Sequence, residues 1–84
     1  MFLHIVSVDY LKDYKLQLTF NNQETLTVNL AEELHGEIFE PLQNPELFKQ
    51  AAVNPETITI EWPNGADFAP EFLYDLGKAP QKTA

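Results

Sequence analysis

Apolar and polar residues alternate along three stretches near the start of the chain. Leu3–Tyr10 places Val6, Val8 and Tyr10 on one side and Leu3, Ile5 and Ser7 on the other, and its enrichment in β-branched residues reads as a strand. After the polar break Lys12–Lys15, residues Leu16, Leu18 and Phe20 alternate with Gln17 and Thr19 in the period-two pattern of a half-buried strand. Asn21 and Asn22 tolerate the left-handed backbone of a tight turn, and Leu26, Val28 and Leu30 then alternate with Thr27 and Asn29. The pattern predicts an antiparallel meander of three strands.

Beyond Leu30 the period changes. Leu30 and Leu34 sit four apart, Asn29 with Glu32 resembles a capping box, and Gly36 stops what is expected to be a short helix. Glu37–Gln43 is expected to pack Ile38, Phe39 and Leu42 on the sheet as an irregular segment around Pro41. Asn44 as N-cap and Pro45 at the first helical position begin a helix with Glu46 in its first turn, Leu47, Phe48 and Ala51 on its apolar side, and Pro55 beyond its end. Thr57–Trp62 returns to strand chemistry, with Ile58, Ile60 and Trp62 on one face, and is expected to join the sheet. Pro63-Asn64-Gly65 signals a turn, with Gly65 expected at positive φ and Asp67 expected to cap a last helix. That helix opens at Pro70 and Glu71 and carries the stripe Phe72, Leu73, Leu76 before Gly77. The expected fold class is therefore α+β: a small antiparallel sheet of about four strands with two or three short helices on one side. One domain is expected over residues 1–76, with a flexible tail over 77–84.

Charge alters this picture more than any other property of composition. The chain has 13 Asp plus Glu against 5 Lys and no Arg, a formal net charge of −8. Ten of the carboxylates lie in Glu32–Asp75, which holds the single Lys49. Because nucleic-acid affinity comes largely from Lys and Arg releasing counterions from phosphates, direct contact with nucleic acid is not expected, whereas a basic partner is electrostatically favoured. There is no cysteine, which removes disulfides and thiolate metal sites. Met1–Tyr10 has no Lys or Arg and is broken by His4, Ser7 and Asp9, unlike a secretory signal, and no apolar run approaches the roughly 18 residues that span a bilayer. A cytoplasmic protein without a membrane partner is the expectation.

Candidate chemistry is sparse. His4 and His35 do not form a metal-ligand spacing, so no metal or other cofactor is expected. Ser7 lacks a nucleophile elbow and there is no phosphate-cradling glycine motif. Asp67 and Glu71, four apart near a helix start, are the one carboxylate pair suited to acid and base roles, although both also suit the electrostatics of that helix start. Trp62, Phe68 and Tyr74 cluster with Asn64 and Gly65, and large aromatics serve both as cores and as anchors of interaction surfaces. The candidate binding residues are thus Trp62, Asn64, Gly65, Asp67, Glu71 and Tyr74.

The run Trp62-Pro63-Asn64-Gly65-Ala66-Asp67-Phe68-Ala69-Pro70-Glu71-Phe72-Leu73-Tyr74 resembles the signature of a bacterial family, domain of unknown function 2442. Val6–Phe20, the stretch Gly36-Glu37-Ile38-Phe39-Glu40-Pro41-Leu42, and Phe48 are similar to its other recurring positions, so the resemblance covers residues 5–76. One departure is the turn Asn21-Asn22-Gln23, where many relatives carry a glycine. The family has no agreed activity. Some members look like sensor or partner domains fused to a helix-turn-helix module, and others sit beside a second small protein, which implies an antitoxin-like or regulatory partner. The expected function is a noncatalytic acidic interaction or regulatory module, paired with another small, basic protein or with a second copy. A small-ligand sensor and a hydrolase using Asp67 and Glu71 are the alternatives.

Overall fold

In the computed structural model, which describes residues 2–79, the clearest alternating stretch becomes the centre of the main sheet. There β2 (Lys15–Phe20) buries Leu16, Leu18 and Phe20 and pairs antiparallel with β1 (Ile5–Tyr10) and β3 (Thr25–Asn29). β1 departs from strict alternation. Ile5 pairs with Phe20 and Ser7 with Thr19, so an extra residue is accommodated at Val6 as a bulge that resets the pleat. Ile5 therefore turns into the core beside half-buried Val8, and Val6, which alternation alone groups with Val8, is expelled to 57% exposure.

The strand expected over Thr57–Trp62 does not join this meander. Its centre, β5 (Thr59–Glu61), pairs with β4 (Ala52–Asn54) in a separate two-stranded antiparallel sheet. The hairpin meets the meander where the Ile5 N–H donates to the Ile58 carbonyl, 3.0 Å away. The hairpin tips take left-handed backbone at non-glycine residues: Asp13 (φ 55°) between β1 and β2, Gln23 (φ 72°) between β2 and β3, and Ile58 (φ 58°) between β4 and β5.

The helices are short. Asn44 caps α1 (Pro45–Phe48) as expected, its side chain accepting from the Glu46 N–H at 3.0 Å. Leu30–Leu34 forms no α-helix but a 3₁₀ turn over Ala31–Glu33, and Asn29 accepts from the Ala31 N–H rather than closing a capping box. A second 3₁₀ turn, Glu40–Gln43, buries Leu42 beside Pro41. α2 (Pro70–Lys78) starts after Ala69, with no side-chain cap. Asp67 does not cap it, because its backbone is extended against Glu61 in a lone strand bridge, two residues before the cap position.

Gly77 does not end α2 but lies inside it, where the helix crosses β3 at close range. A Cβ at Gly77 would meet the Leu26 Cβ at 2.9 Å. Helix α2 thus carries the domain past the boundary expected at residue 76, and residues 80–84 of the expected tail lie outside the described residues.

Both sheets and the helices close on one core. Its largest fully buried side chains are Trp62, Phe20 and Phe48, with Ile5, Leu16, Leu18, Leu30, Leu34, Leu42, Ile60, Leu73 and Val28 around them. The architecture is a small α+β fold with three plus two antiparallel strands.

Candidate functional site

The signature segment is built around a turn. Gly65, at φ 90°, lets the chain reverse between the Trp62 carbonyl, which accepts from the Gly65 N–H, and the Trp62 N–H, which donates to the Ala66 carbonyl. Asn64 holds that turn with both ends of its amide. Its Oδ1 accepts from the Ala66 N–H at 3.1 Å, and its Nδ2 donates to the Ile38 carbonyl at 2.9 Å, which fastens residues 36–43 against the signature. Trp62 is only 1% exposed and donates its indole N–H to the Phe48 carbonyl at 2.7 Å. Its ring therefore packs rather than presents a surface. Tyr74 is half-buried: its ring meets Phe20 edge-on at 5.3 Å and its hydroxyl donates to Glu24 at 3.0 Å. Lys78 completes this cluster, 2.9 Å from the other Glu24 oxygen. The Lys78 ammonium, then Tyr74, draws the Glu24 carboxyl below its ordinary pKa, against the opposing effect of desolvation. Lys78 is raised in return, chiefly by its hydrogen bond to Glu24.

Asp67 and Glu71 stand at the surface, one in extended chain and the other in the first turn of α2. Two shallow depressions, one lined by His4, Val6, Phe20 and Asn21 and the other by Val53, Asn54, Trp62 and Pro63, include neither carboxylate. Among the described residues no group of three or more His, Asp or Glu side chains could hold a metal ion. No helix among them is long and apolar enough to cross a membrane.

What the structure does assemble at the signature is a ladder of phenyl rings. Phe39 stacks on Phe68 with centroids 4.7 Å apart and planes at 21°, and Phe68 stacks on Phe72 at 5.4 Å and 16°. Trp62 supports the middle rung edge-on at 5.9 Å, and the Thr59 hydroxyl donates to the Phe68 carbonyl, fixing that residue's backbone. The ladder reaches solvent at Phe72, which is 39% exposed, and Ile38, next to Phe39 in the chain, is 44% exposed. Next to these residues in the chain stand Glu37, Glu40, Asp67, Glu71 and Asp75, all exposed and none in an ion pair with a lysine among the described residues.

The ladder joins two segments, 36–43 and 67–72, that the sequence reading treated separately. The Phe39–Phe68 contact is long-range, and no periodicity within either segment announces it.

The class of domain is a small α+β fold of three plus two antiparallel strands. The chain belongs to the family described as protein of unknown function (DUF2442), which it matches over residues 5–79. No curated protein matches it. Among solved structures it is similar to the putative DNA-binding protein NE0471 of Nitrosomonas europaea, with 24% identity and a TM-score of 0.81. That likeness covers 93% of this chain and 50% of the other, so this chain spans half the length of that protein.

The likeness shows a shared fold. It also overturns the expectation that direct contact with nucleic acid is excluded, since a protein that shares this fold over half of its chain is a putative DNA-binding protein. The physical reason is that net charge is a sum over the whole molecule, whereas phosphates meet local groups. Lys12 and Lys15 lie together at the β1–β2 turn and pair with no carboxylate among the described residues.

Proposed function

We propose that this chain is a noncatalytic interaction module of a DNA-binding system, whose aromatic face receives a positively charged protein. The observation that carries this reading is the Phe39–Phe68–Phe72 ladder, open to solvent at Phe72, with exposed carboxylates close to its residues in the chain. Rigid aromatic groups that can be desolvated are where interfaces concentrate their binding energy. Unpaired carboxylates around them raise the rate of encounter with a basic partner and disfavour acidic ones. A binding role is also favoured over hydrolysis because Asp67 and Glu71 are exposed and line neither depression. The specific form of the reading is antitoxin-like or regulatory: the module holds a small basic protein whose own surface competes for DNA.

A photo-reactive residue placed at position 72, and separately at 38, tests this in the native cell, with position 17 on the outer face of the meander as control. The same basic protein crosslinked from 72 and 38 but not from 17 is the expected result. Crosslinks to nucleic acid from 72, or identical products from all three positions, would overturn it.

A second reading is favoured by the structural neighbour and by the unpaired lysines at the β1–β2 turn: the chain itself touches DNA there. Fluorescence anisotropy with duplex DNA separates the two. Binding that weakens steeply with salt and disappears in Lys12→Ala/Lys15→Ala assigns DNA to that turn, whereas binding unaffected by the double substitution removes this second reading.

A further inference from the structure

We infer that the partner presents to the Phe39–Phe68–Phe72 face an amphipathic α-helix with an apolar stripe flanked by Lys or Arg, an inference that rests on the proposed function and names the chemistry of its partner. Three features of the face point to a helix.

The first is spacing. The rungs of the ladder lie 4.7 and 5.4 Å apart, close to the roughly 5–6 Å that separates side chains three or four residues apart on a helix surface. A row of apolar side chains at that spacing can lie against exposed Phe72 and the parts of half-buried Phe39 and Phe68 that remain accessible.

The second is the shortness of the backbone edge. The face is formed by residues 37–40, the short extended chain at 67–68, which already bridges Glu61 on one side, and α2. The N–H groups of Phe39 and Glu40 are likewise taken by the Gly36 carbonyl. An incoming strand gains its affinity from main-chain pairing, whereas a docked helix gains it from side chains, which are what this face offers.

The third is charge. Glu37 and Glu40 border Ile38 and Phe39, while Glu71 and Asp75 follow each other at one helical turn beside Phe72. Carboxylates thus stand on both contributing segments, and cations flanking both sides of an apolar stripe would meet them. Among the described residues, Lys49 and Lys78 are already engaged, with Glu46 at 2.8 Å and with Glu24 at 2.9 Å. A partner carrying positive charge would complement these carboxylates.

Three synthetic peptides of equal length and charge test the inference. The first places Leu at i, i+4, i+7 and i+11 among Lys and Ala, the second is its scramble, and the third replaces two central Ala by Pro so that no helix can form. Binding is followed by calorimetry and by amide shifts of the whole labelled chain. The helical peptide should bind with a dissociation constant on the order of tens of micromolar, as suits a small interface, and shift amides within 37–40 and 67–75. The scramble and the Pro peptide should bind at least about tenfold more weakly. Phe72→Ala and, independently, Ile38→Ser should weaken the helical peptide by about tenfold while leaving the circular dichroism of the domain unchanged. Glu71→Gln/Asp75→Asn should flatten the salt dependence. If the Pro peptide or the scramble binds as well as the helix, the helical inference fails while a basic partner stands. If no peptide shifts this face even at low salt, the basic-partner reading fails with it.

Discussion

At Gly77 two single-residue effects oppose each other, and their magnitudes decide the outcome. In an exposed helix Gly→Ala is stabilising by roughly 0.5–1 kcal/mol, because alanine restricts the unfolded chain. Here the new methyl would stand 2.9 Å from the Leu26 Cβ and 3.0 Å from its Cδ1, closer than packed carbons approach. Forcing a methyl into a filled contact costs about 1–3 kcal/mol, so Gly77→Ala should melt below the wild type. A higher melting temperature would mean that α2 does not sit on β3 as described.

Asn64 and Asp67, three residues apart, separate in the same way. Asn64→Ala removes one hydrogen bond within the turn and one to the Ile38 carbonyl, a loss of about 1 kcal/mol or more. Asp67→Ala removes an exposed side chain that caps nothing and should change stability by less than about 0.5 kcal/mol. Equal destabilisation of the two variants in thermal melts would restore Asp67 as a cap.

Glu24 carries a pH dependence. Its carboxyl is held below its ordinary pKa mainly by Lys78, so its contribution is present above the unfolded value of about 4.3 and is lost as pH falls through the depressed folded value. Glu24→Gln should therefore flatten the acid limb of the stability profile. An unchanged limb would show that the Glu24–Lys78–Tyr74 cluster does not persist in solution.

At the scale of elements, strands with one buried face are legible from sequence and strands defined by a distant partner are not. β2 is read correctly because Leu16, Leu18 and Phe20 face the core while Gln17 and Thr19 face outward, a one-sided environment that period two reports. β1 is found but mis-phased, since a bulge is a backbone event that leaves the residue types of Val6 and Val8 unchanged. β4 escapes notice altogether, being three residues, Ala52, Val53 and Asn54, beside Pro55. The turns mislead for a related reason. The breaks at Lys12–Lys15 and Asn21-Asn22 place the first two tips, but the left-handed backbone falls on Asp13, Gln23 and Ile58 rather than on a glycine, so residue type does not single out those positions. The candidate site divides along the same line. The Asn64-Gly65 turn is legible from its own residues, whereas the ladder depends on Phe39 meeting Phe68 across the fold.

The two sheets should also differ in durability. A two-stranded hairpin is marginal by itself, and β4–β5 is tied to the meander by few backbone bonds, whereas β2 is paired on both sides. In native-state hydrogen exchange the amides of Leu16 and Leu18 should be the slowest and that of Val53 distinctly faster. Equal protection would make the two sheets one cooperative unit.

For the whole molecule, the balance of charge and size makes a prediction that neither residues nor elements make. The described residues span 33 × 33 × 20 Å. At 0.01 M salt the screening length is about 30 Å, so each carboxylate interacts with nearly every other, and at 0.15 M it is about 8 Å, which leaves only near neighbours coupled. With 13 acidic groups against 5 lysines, most of the long-range interactions removed by salt are repulsive. The two ion pairs among the described residues, Lys49–Glu46 and Lys78–Glu24, are exposed or half-exposed and lose little by comparison. Raising sodium chloride from 0.01 to 0.15 M should therefore raise the melting temperature, and since about 1 kcal/mol corresponds to roughly 4–8 °C in a domain of this size, the change should amount to a few degrees. Potassium chloride at the same ionic strength should act equally, because the effect is screening and not ion binding. The same salt should weaken docking of a basic helix on the carboxylate-bordered ladder, so stability and affinity should move in opposite directions along one titration. If the melting temperature falls with salt, the two ion pairs dominate the electrostatics of folding. If affinity does not fall, the carboxylates around Phe39, Phe68 and Phe72 take no part in recognition.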